Sequence, residues 1–205
     1  MNDLIQVIKI LDDKQLKEVN SGIDDLEFIP SSVGFHDGDT GEPRVDNNIR
    51  TSSNAFLPEE GNEARDILHE GMNKALLEYR DRLIGINPIF DGYPVPGGFM
   101  TTSHREDIQV LEYESNQKYV YHQDASTQKG AKEYHRMISI ITYLTDDFEG
   151  GATKFLNAEY KPPAGSALIF PSNWCYPHAG MPVTKGTKRV AVTWYYVKQV
   201  TCQII

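Results

Sequence analysis

The second half of the chain carries the feature that most restricts its fold: a succession of short segments rich in β-branched and aromatic residues. They begin near residue 107 and are separated by turn-like stretches such as TDDFEGG and VTKGTK. The segments are DIQVLEYE, KYVYH, RMISIITYL, ATKFL, GSALIFP and RVAVTWYYV. Six or more short strands with such breaks predict an antiparallel sandwich or barrel.

The first half of the chain predicts helices that support this β-rich half. Residues 3–10 are rich in Ile and Val and predict a first strand, and Asp12 is placed to cap a short helix through about residue 20. A second helix is expected to open at Pro58, because apolar residues then recur at helical spacing as far as Leu83. Its apolar face should pack on a sheet.

Two further stretches complete the predicted architecture. A strand is expected near residues 26–35, and the dense Gly and Pro content of residues 85–99 predicts an exposed loop without regular structure. The predicted fold is therefore α+β, mainly β: a double-stranded β-helix (jelly roll) supported by N-terminal helices. We expect one domain over residues 1–205, with a helical support region at 1–84 and the jelly-roll core at 105–200.

Composition excludes some partners and compartments. The net charge is -9 and no dense Lys/Arg cluster is present, so nucleic acid is not expected as a partner. Apolar runs are too short for a membrane-spanning helix, and the first residues lack the pattern of a signal peptide. The two cysteines, Cys175 and Cys202, make no disulfide framework. We therefore expect an intracellular, soluble and cytoplasmic protein.

His122 and Asp124 follow the strand-like run KYVY and point to a metal site. Residues two apart in a strand face the same side, so both side chains can hold one ion. Together with His178, after a later strand, they would form the facial triad of two imidazoles and one carboxylate found in non-haem Fe(II) oxygenases. A lone HxD tripeptide is a weak signal in a chain with six histidines, so the triad needs support from other residues.

Lys188 supplies part of that support. It lies ten residues after His178, at the start of the run RVAVTWYYV. A co-substrate with a distal carboxylate needs a fixed cation inside the sandwich, and a lysine at the mouth of a strand can provide it. Lys185 and Arg189 lie close by and compete for this role, and a solvated lysine at a strand end is the ordinary alternative.

Four segments in order resemble the prolyl 4-hydroxylase group of 2-oxoglutarate oxygenases. They are LEYESNQKYVYHQD, RMISIITYLTDDFEGGATKF, KPPAGSALIFPS and HAGMPVTKGTKRVAVTWYY. The resemblance covers roughly residues 107–197, with weaker similarity in VDNNIRTSSNAFLP. Where the first family segment has a Gly, this chain has Ser115 and Asn116, and Asn also accepts the left-handed backbone of a turn.

The resemblance implies a role for each matching side chain. His122, Asp124 and His178 would be the iron ligands. Lys188 would pair with the distal carboxylate of 2-oxoglutarate, Tyr113 would donate its hydroxyl to the same group, and Thr153 would line that pocket. The residues at substrate-contacting positions are Tyr119, Arg136 and Trp194. Packing in a strand is the alternative for Tyr119 and Trp194, and a salt bridge at a strand end is the alternative for Arg136.

The resemblance also implies an activity, that of an Fe(II)- and 2-oxoglutarate-dependent dioxygenase. Such an enzyme uses O2 to hydroxylate a C–H bond and releases succinate and CO2. The substrate expected from the resemblance is a peptidyl proline in a peptide or protein. Ascorbate (vitamin C) would serve as a reductant if turnover without substrate oxidised the iron.

Two alternatives stay open at this point. The same chemistry could act on a small molecule or on another side chain, because loops at the mouth of such scaffolds select the substrate. The chain could also be a catalytically inert jelly-roll binding module. The intact set of ligands and Lys188 favours the enzyme, since a decayed site normally loses a ligand.

Overall fold

The computed structural model of the protein describes residues 2–33, 43–92, 104–125 and 134–198. Within these ranges the helices are α1 (Asp13–Ile23) and α2 (Glu63–Ile86), with 3-10 turns at Asn2–Leu4 and Pro88–Gly92. The strands are β1 (Gln6–Lys9), β2 (Ile29–Pro30), β3 (Ser53–Phe56), β4 (His104–Arg105), β5 (Gln109–Tyr113), β6 (Tyr119–His122), β7 (Tyr134–Tyr143), β8 (Glu149–Gly150), β9 (Thr153–Phe155), β10 (Glu159–Tyr160), β11 (Ser166–Pro171), β12 (His178–Gly180), β13 (Val183–Lys185) and β14 (Lys188–Lys198).

The larger sheet has eight antiparallel strands. Its order is β1-β11-β7-β14-β5-β3-β2, and β4 pairs with β14 beside this path. The long strands β7 and β14 lie at the centre and pair along most of their lengths. Each of the six segments that the sequence predicted as strands contains one strand of the structure. This agreement follows from their β-branched content and from the turn residues that separate them.

A smaller antiparallel sheet, in the order β10-β9-β12-β6, covers one face of the larger sheet. Between the two sheets lies a buried cluster that joins Phe155 of β9 to Tyr113, Tyr143 and Phe170 of the larger sheet. A two-stranded ribbon of β8 and β13 completes the β structure of the described residues. Two antiparallel sheets closed over a common core are the arrangement predicted for the jelly roll.

The helices cover the other face of the larger sheet. Leu68 and Met72 of α2 are buried in one cluster with Ile138 and Ile140 of β7, whereas Tyr143 of β7 belongs to the cluster between the sheets. Alternate residues of a strand face opposite sides, so β7 divides its side chains between two cores. The predicted packing of an apolar helix face on a sheet is thus confirmed.

Strand β14 contributes one of its faces to a cavity between the sheets. Lys188, Val190, Val192 and Trp194, each two residues from the next, all line this cavity. The same period of two that forms a strand therefore brings a lysine and a tryptophan to the same side of the sheet.

The start of α1 was predicted correctly, whereas the start of α2 was not. Asp12 caps α1 as expected, and its side chain accepts a hydrogen bond from the Gln15 backbone N–H at 2.8 Å. The start predicted for α2 at Pro58 is wrong, because the helix begins at Glu63. Asn62 is its cap and accepts from the Arg65 backbone N–H at 2.8 Å, so a capping amide rather than proline sets this start.

Two other expectations are corrected in part. Of the strand expected near residues 26–35, the described part contains Ile29–Pro30 and an isolated bridge at Val33, and residues 34 and 35 lie outside the described residues. The loop expected at 85–99 is regular in its first part, since α2 runs to Ile86 and a 3-10 turn follows at Pro88–Gly92. The remainder of that stretch, from residue 93, lies outside the described residues. No helix of the described part of the chain is long and apolar enough to cross a membrane.

The turn between β5 and β6 contains the one departure from the family pattern noted above. Asn116 has a φ of 68°, the left-handed conformation expected of it in the sequence analysis. Its backbone N–H donates to the Val183 carbonyl at 2.7 Å. The turn therefore keeps the conformation that a glycine would supply, and β6 leaves it in position to carry His122.

Candidate active site

Two neighbouring strands of the smaller sheet bring His122 and His178 together. The two residues are directly opposite partners in the antiparallel pairing of β6 and β12. Their ring centroids lie 4.4 Å apart. His178 is buried, whereas His122 is at the edge of the cavity with partial exposure. Strand pairing therefore accounts for two ligands that are far apart in sequence.

Hydrogen bonds to the backbone orient both imidazole rings. His122 Nδ1 lies 2.9 Å from the Val120 carbonyl oxygen, and His178 Nδ1 lies 3.2 Å from that of Tyr176. A carbonyl oxygen only accepts, so each Nδ1 is the protonated nitrogen that donates. In the neutral form of such a ring the lone pair is on Nε2, and such bonds to the far nitrogen are typical of histidines that bind metal ions.

Asp124 completes a group whose ligand atoms all lie within 4.8 Å of one another. Its Oδ1 is 3.4 Å from His122 Nε2, and its Oδ2 is 3.6 Å from His178 Nε2. Burial raises the pKa of Asp124, but His178, His122 and a hydrogen bond from Ser139 outweigh it and hold this pKa well below its ordinary value. The carboxylate is therefore ionised at neutral pH.

His178 is neutral at the same pH. Burial lowers its pKa to about 4, although the nearby Asp124 carboxylate acts in the opposite direction. A neutral imidazole and an ionised carboxylate are the states in which these side chains bind metal ions. Asp124 and His178 thus offer an oxygen and a nitrogen donor in the protonation states that a divalent transition metal requires.

Lys188 is a buried cation on the same cavity. Its Nζ donates to the Gly151 carbonyl at 2.7 Å and lies 5.0 Å from the ring centre of Tyr143 and 5.4 Å from that of Tyr113. Burial, and secondarily the charge of Lys161, lowers its pKa to about 7. Among the residues that the structure describes, no carboxylate forms an ion pair with it. A buried ammonium group of this kind favours an anionic ligand.

Hydroxyl groups surround Lys188. Tyr113 and Thr153 line the cavity with it. Thr153 Oγ1 lies 2.7 Å from the Tyr143 hydroxyl, which in turn donates to the Tyr160 carbonyl at 3.4 Å. Tyr143 was missed by the sequence analysis, although it is the tyrosine of the YL pair in the second matching segment.

The three residues predicted to contact substrate form two stacks. The Tyr119 ring stacks on that of His122 with centroids 3.6 Å apart. The Arg136 guanidinium lies 3.6 Å from the centre of the Trp194 ring. Arg136 also donates two bonds of 2.6 Å to the two oxygens of Glu106. The salt bridge considered as the alternative for Arg136 is therefore present, and the stack holds its side chain at the cavity wall.

One cavity of about 910 Å³ is lined by every site residue that the sequence predicted. They are His122, Asp124, His178, Lys188, Tyr113, Thr153, Tyr119, Arg136 and Trp194. Exposed side chains of Phe56, Val120 and Tyr121 also line it. The cavity therefore connects the three ligands to the surface of the protein rather than enclosing them.

Besides Tyr143, two more residues of this region were missed from sequence. Arg50 is buried, lines the cavity, and lies 4.8 Å from the centre of the Tyr119 ring. Its Nε donates to Ser52 Oγ at 2.8 Å. Ser139 donates to Asp124 Oδ2 at 2.6 Å. Arg50 could have been noticed, since it falls in the segment VDNNIRTSSNAFLP, whereas nothing local to Ser139 indicates its partner.

Comparison with known proteins finds similarity to oxygenases. Residues 108–196 match the 2OG-Fe(II) oxygenase superfamily. A candidate prolyl 4-hydroxylase of Acanthamoeba polyphaga mimivirus is 36% identical over 131 residues, which are 54% of this chain and 52% of that protein. Prolyl 4-hydroxylase 2 of Arabidopsis thaliana is 27% identical over 194 residues, 78% of this chain and 57% of that protein. This chain thus spans little more than half the length of these relatives.

Solved structures share the fold. A viral collagen prolyl hydroxylase from Paramecium bursaria Chlorella virus-1, in complex with 2-oxoglutarate, has a TM-score of 0.66 at 21% identity, covering 95% of this chain and 96% of the other. A prolyl hydroxylase from Trichoplax adhaerens, in complex with a peptide of hypoxia inducible factor, has a TM-score of 0.68 at 19% identity, covering 95% and 84%. The predicted jelly-roll fold is confirmed by these likenesses and by the sheets described above.

Proposed function

We propose that this chain is a prolyl 4-hydroxylase-like Fe(II)/2-oxoglutarate oxygenase and that it hydroxylates a peptidyl proline; the similarity of residues 108–196 to this superfamily supports the proposal. Succinate and CO2 are the other products. The observation that carries the proposal is the joint presence, on one cavity, of the His122–Asp124–His178 group and the buried cation Lys188. Neither half of this arrangement alone would specify a keto-acid-dependent oxygenase.

The three ligands fit an Fe(II) ion. Their donor atoms converge, both imidazoles present Nε2, and the carboxylate supplies the negative charge. Three protein ligands leave coordination positions for a keto acid and for O2. When bound, Fe(II) with 2-oxoglutarate and O2 supplies the oxidising power that inserts one oxygen atom into a C–H bond, while the other oxygen atom enters succinate.

Lys188, Tyr113 and Thr153 fit the far end of 2-oxoglutarate. In the proposed complex the ammonium group of Lys188 pairs with the distal carboxylate, and the hydroxyl of Tyr113 donates to the same group. Such charge-assisted bonds in a buried site fix the orientation of the co-substrate. The Gly151 carbonyl, which already accepts from Lys188 at 2.7 Å, holds the ammonium group in place before the anion arrives.

Tyr119, Arg136 and Trp194 are proposed to receive the substrate. Proline is an apolar ring that packs well on aromatic faces, and Tyr119 lies directly beside His122. The guanidinium of Arg136 has its orientation fixed by Glu106 and Trp194, so it can offer hydrogen bonds to peptide carbonyls without further ordering. The cavity with exposed residues along its wall suits a chain that passes through rather than a small enclosed molecule.

The decisive experiment measures succinate release and peptide mass together. The purified protein is incubated with Fe(II), 2-oxoglutarate, O2 and proline-rich peptides, and a peptide heavier by one oxygen atom is expected. His122→Ala and Asp124→Ala should abolish both signals. Succinate release that survives in these variants would refute the triad, and succinate without peptide oxidation would direct the search to other side chains or small molecules.

Controls separate this proposal from the inert binding module. A binding module would release no succinate under any condition, including slow turnover in the absence of substrate. Ascorbate is proposed as a reductant that prolongs this slow turnover, because it can return oxidised iron to Fe(II). Lys188→Ala should weaken the binding of 2-oxoglutarate. Its matched control is Lys185→Ala, which removes an exposed lysine that is paired with Glu149 and lies close to Lys188 in sequence.

A further inference from the structure

Two buried serines lie behind the carboxylate of Asp124. Ser139 on β7 and Ser172, just after β11, are each only 1% exposed. Ser139 Oγ lies 2.6 Å from Asp124 Oδ2, and the two serine oxygens lie 2.8 Å apart. Within the described part of the chain the side chains of these serines form hydrogen bonds with Asp124 and with each other but not with the two histidines, so their effect on the site passes through Asp124.

The direction of each bond in this chain of hydroxyls is fixed. A carboxylate oxygen only accepts, so Ser139 donates its proton to Asp124. Ser139 then has only lone pairs left for its other neighbour, and Ser172 must donate to Ser139. Successive bonds of the same direction polarise and strengthen one another in a buried setting. The result is a relay from Ser172 through Ser139 to a single oxygen of Asp124.

The backbone holds this relay in place. The Ser172 N–H donates to the Met137 carbonyl at 2.9 Å, and the Ser172 carbonyl accepts from the Ala125 N–H at 2.8 Å. Ala125 directly follows Asp124 in the chain. Ser172 therefore acts on Asp124 in two ways. Its side chain supports Ser139, and its backbone carbonyl holds the residue that follows Asp124, so the position of the carboxylate is restricted.

We propose that Ser139, supported by Ser172, is a positioning residue that makes Asp124 a one-oxygen metal ligand. Oδ2 lies 3.6 Å from His178 Nε2 but already accepts the short bond from Ser139, whereas Oδ1 lies 3.4 Å from His122 Nε2 and accepts from no serine among the described residues, so Oδ1 is the oxygen better placed for the metal. This inference rests on the proposed function. A carboxylate that bound through both oxygens would take one of the three positions that a keto acid and O2 need. Ser139 thereby keeps that position open.

The test uses Co(II) as the metal and 2-oxoglutarate as the ligand, without O2. Removing a partner that orients a ligand typically weakens metal binding about 10- to 100-fold. Ser139→Ala is expected to lose Co(II) affinity by this amount, to change the d–d absorption bands of bound Co(II), and to bind 2-oxoglutarate more weakly. Ser139→Thr keeps the hydroxyl and should restore all three, and Ser172→Ala should lie between wild type and Ser139→Ala.

A matched control excludes a general loss of fold. Ser31 is also 1% exposed and accepts a hydrogen bond from Ser52 at 2.9 Å, but it does not touch the metal ligands. Ser31→Ala should leave Co(II) affinity and spectrum unchanged. If Ser139→Ala is too unstable to purify, Ser139→Cys, with a weak donor, and Ser172→Ala carry the same spectroscopic comparison.

Asp124→Ala separates failure of this inference from failure of the proposed function. If Asp124→Ala binds Co(II) as tightly as wild type, the triad itself is refuted. If Asp124→Ala loses the metal while Ser139→Ala keeps wild-type affinity and wild-type absorption bands, the triad stands and the role of Ser139 is overturned. Equal behaviour of the Thr and Ala variants at position 139 would also overturn it, because only one of them retains a hydroxyl.

Discussion

Lys188 should make binding of 2-oxoglutarate depend on pH. In the free site burial lowers its pKa to about 7. Pairing with the co-substrate carboxylate favours the charged form and should return the pKa to the ordinary lysine value of about 10.4 or above. Between these two values the lysine must take up a proton before the anion is bound, so each pH unit costs roughly a factor of ten in apparent affinity.

The size of the effect follows from the protonated fraction. With a pKa of about 7, this fraction falls roughly 100-fold between pH 6 and pH 9. The apparent Kd of 2-oxoglutarate, measured without O2 on the Co(II) protein, should rise by the same factor. Calorimetry at pH 8 in buffers of different ionisation enthalpy should record uptake of close to one proton per 2-oxoglutarate bound.

Lys188→Arg is the matched control, because a guanidinium stays charged throughout this range. Its apparent Kd for 2-oxoglutarate should be nearly independent of pH. Any change of Kd with pH that the wild type and Lys188→Arg share therefore comes from the metal and not from the lysine. A wild-type profile as flat as that of Lys188→Arg would refute the reasoning.

The stability of the ligand-free protein gives a second readout. Between about pH 7 and pH 10.4 the lysine of the unfolded chain holds a proton that the folded one has lost, so the ligand-free protein should become more stable as pH rises. Lys188→Met should remove that rise.

Three further substitutions test other parts of the structure. Thr142 Oγ1 is buried without a hydrogen-bond partner among the described residues, whereas Thr193 Oγ1 donates to the Glu106 carbonyl at 2.6 Å. Chemical denaturation should therefore find Thr142→Val more stable by about 1 kcal/mol and Thr193→Val less stable by at least as much; the same sign for both would contradict this. Arg136→Lys should raise the KM for peptide about tenfold and leave the KM for 2-oxoglutarate unchanged in steady-state assays, since lysine loses the paired bonds and the stack. Gly151→Ala should cost about 2 kcal/mol in the same denaturation assay, because φ is +66° and the new Cβ would lie 2.8 Å from Phe148 Cε2; a cost near zero would show that this turn can relax.

The proposed ligands could be picked out from sequence because part of their geometry is local. His122 and Asp124 are two residues apart at the end of a strand, and the ten-residue step from His178 to Lys188 runs from β12 through the short strand β13 to the start of β14. Local chemistry misled where two signals competed, as when Pro58 suggested a helix start that Asn62 provides. The partner of Ser139 could not be predicted, since its contact with Asp124 depends on how β6 and β7 lie in different sheets.

The roles proposed for the individual residues remain predictions, as does the division into a support region at 1–84 and a core at 105–200. The fold shows that these residues, which the sequence analysis named one by one, all line the same cavity. The fold also shows that Arg50 lines the cavity and that Tyr143 contacts Lys188 and Thr153. These contacts follow from packing and not from any spacing along the chain.

Strand β14 fixes the distance between two side chains of the cavity. Lys188 and Trp194 lie on the same face, six residues apart, which a strand converts into a fixed separation of about 20 Å. The proposed anchor of the co-substrate and the proposed contact for the substrate thus lie on one strand. Inserting a single residue between them would move Trp194 to the opposite face. Deleting two would keep the face but shorten the separation by about 7 Å, so the distance between the two proposed contacts is set by the number of residues in this strand.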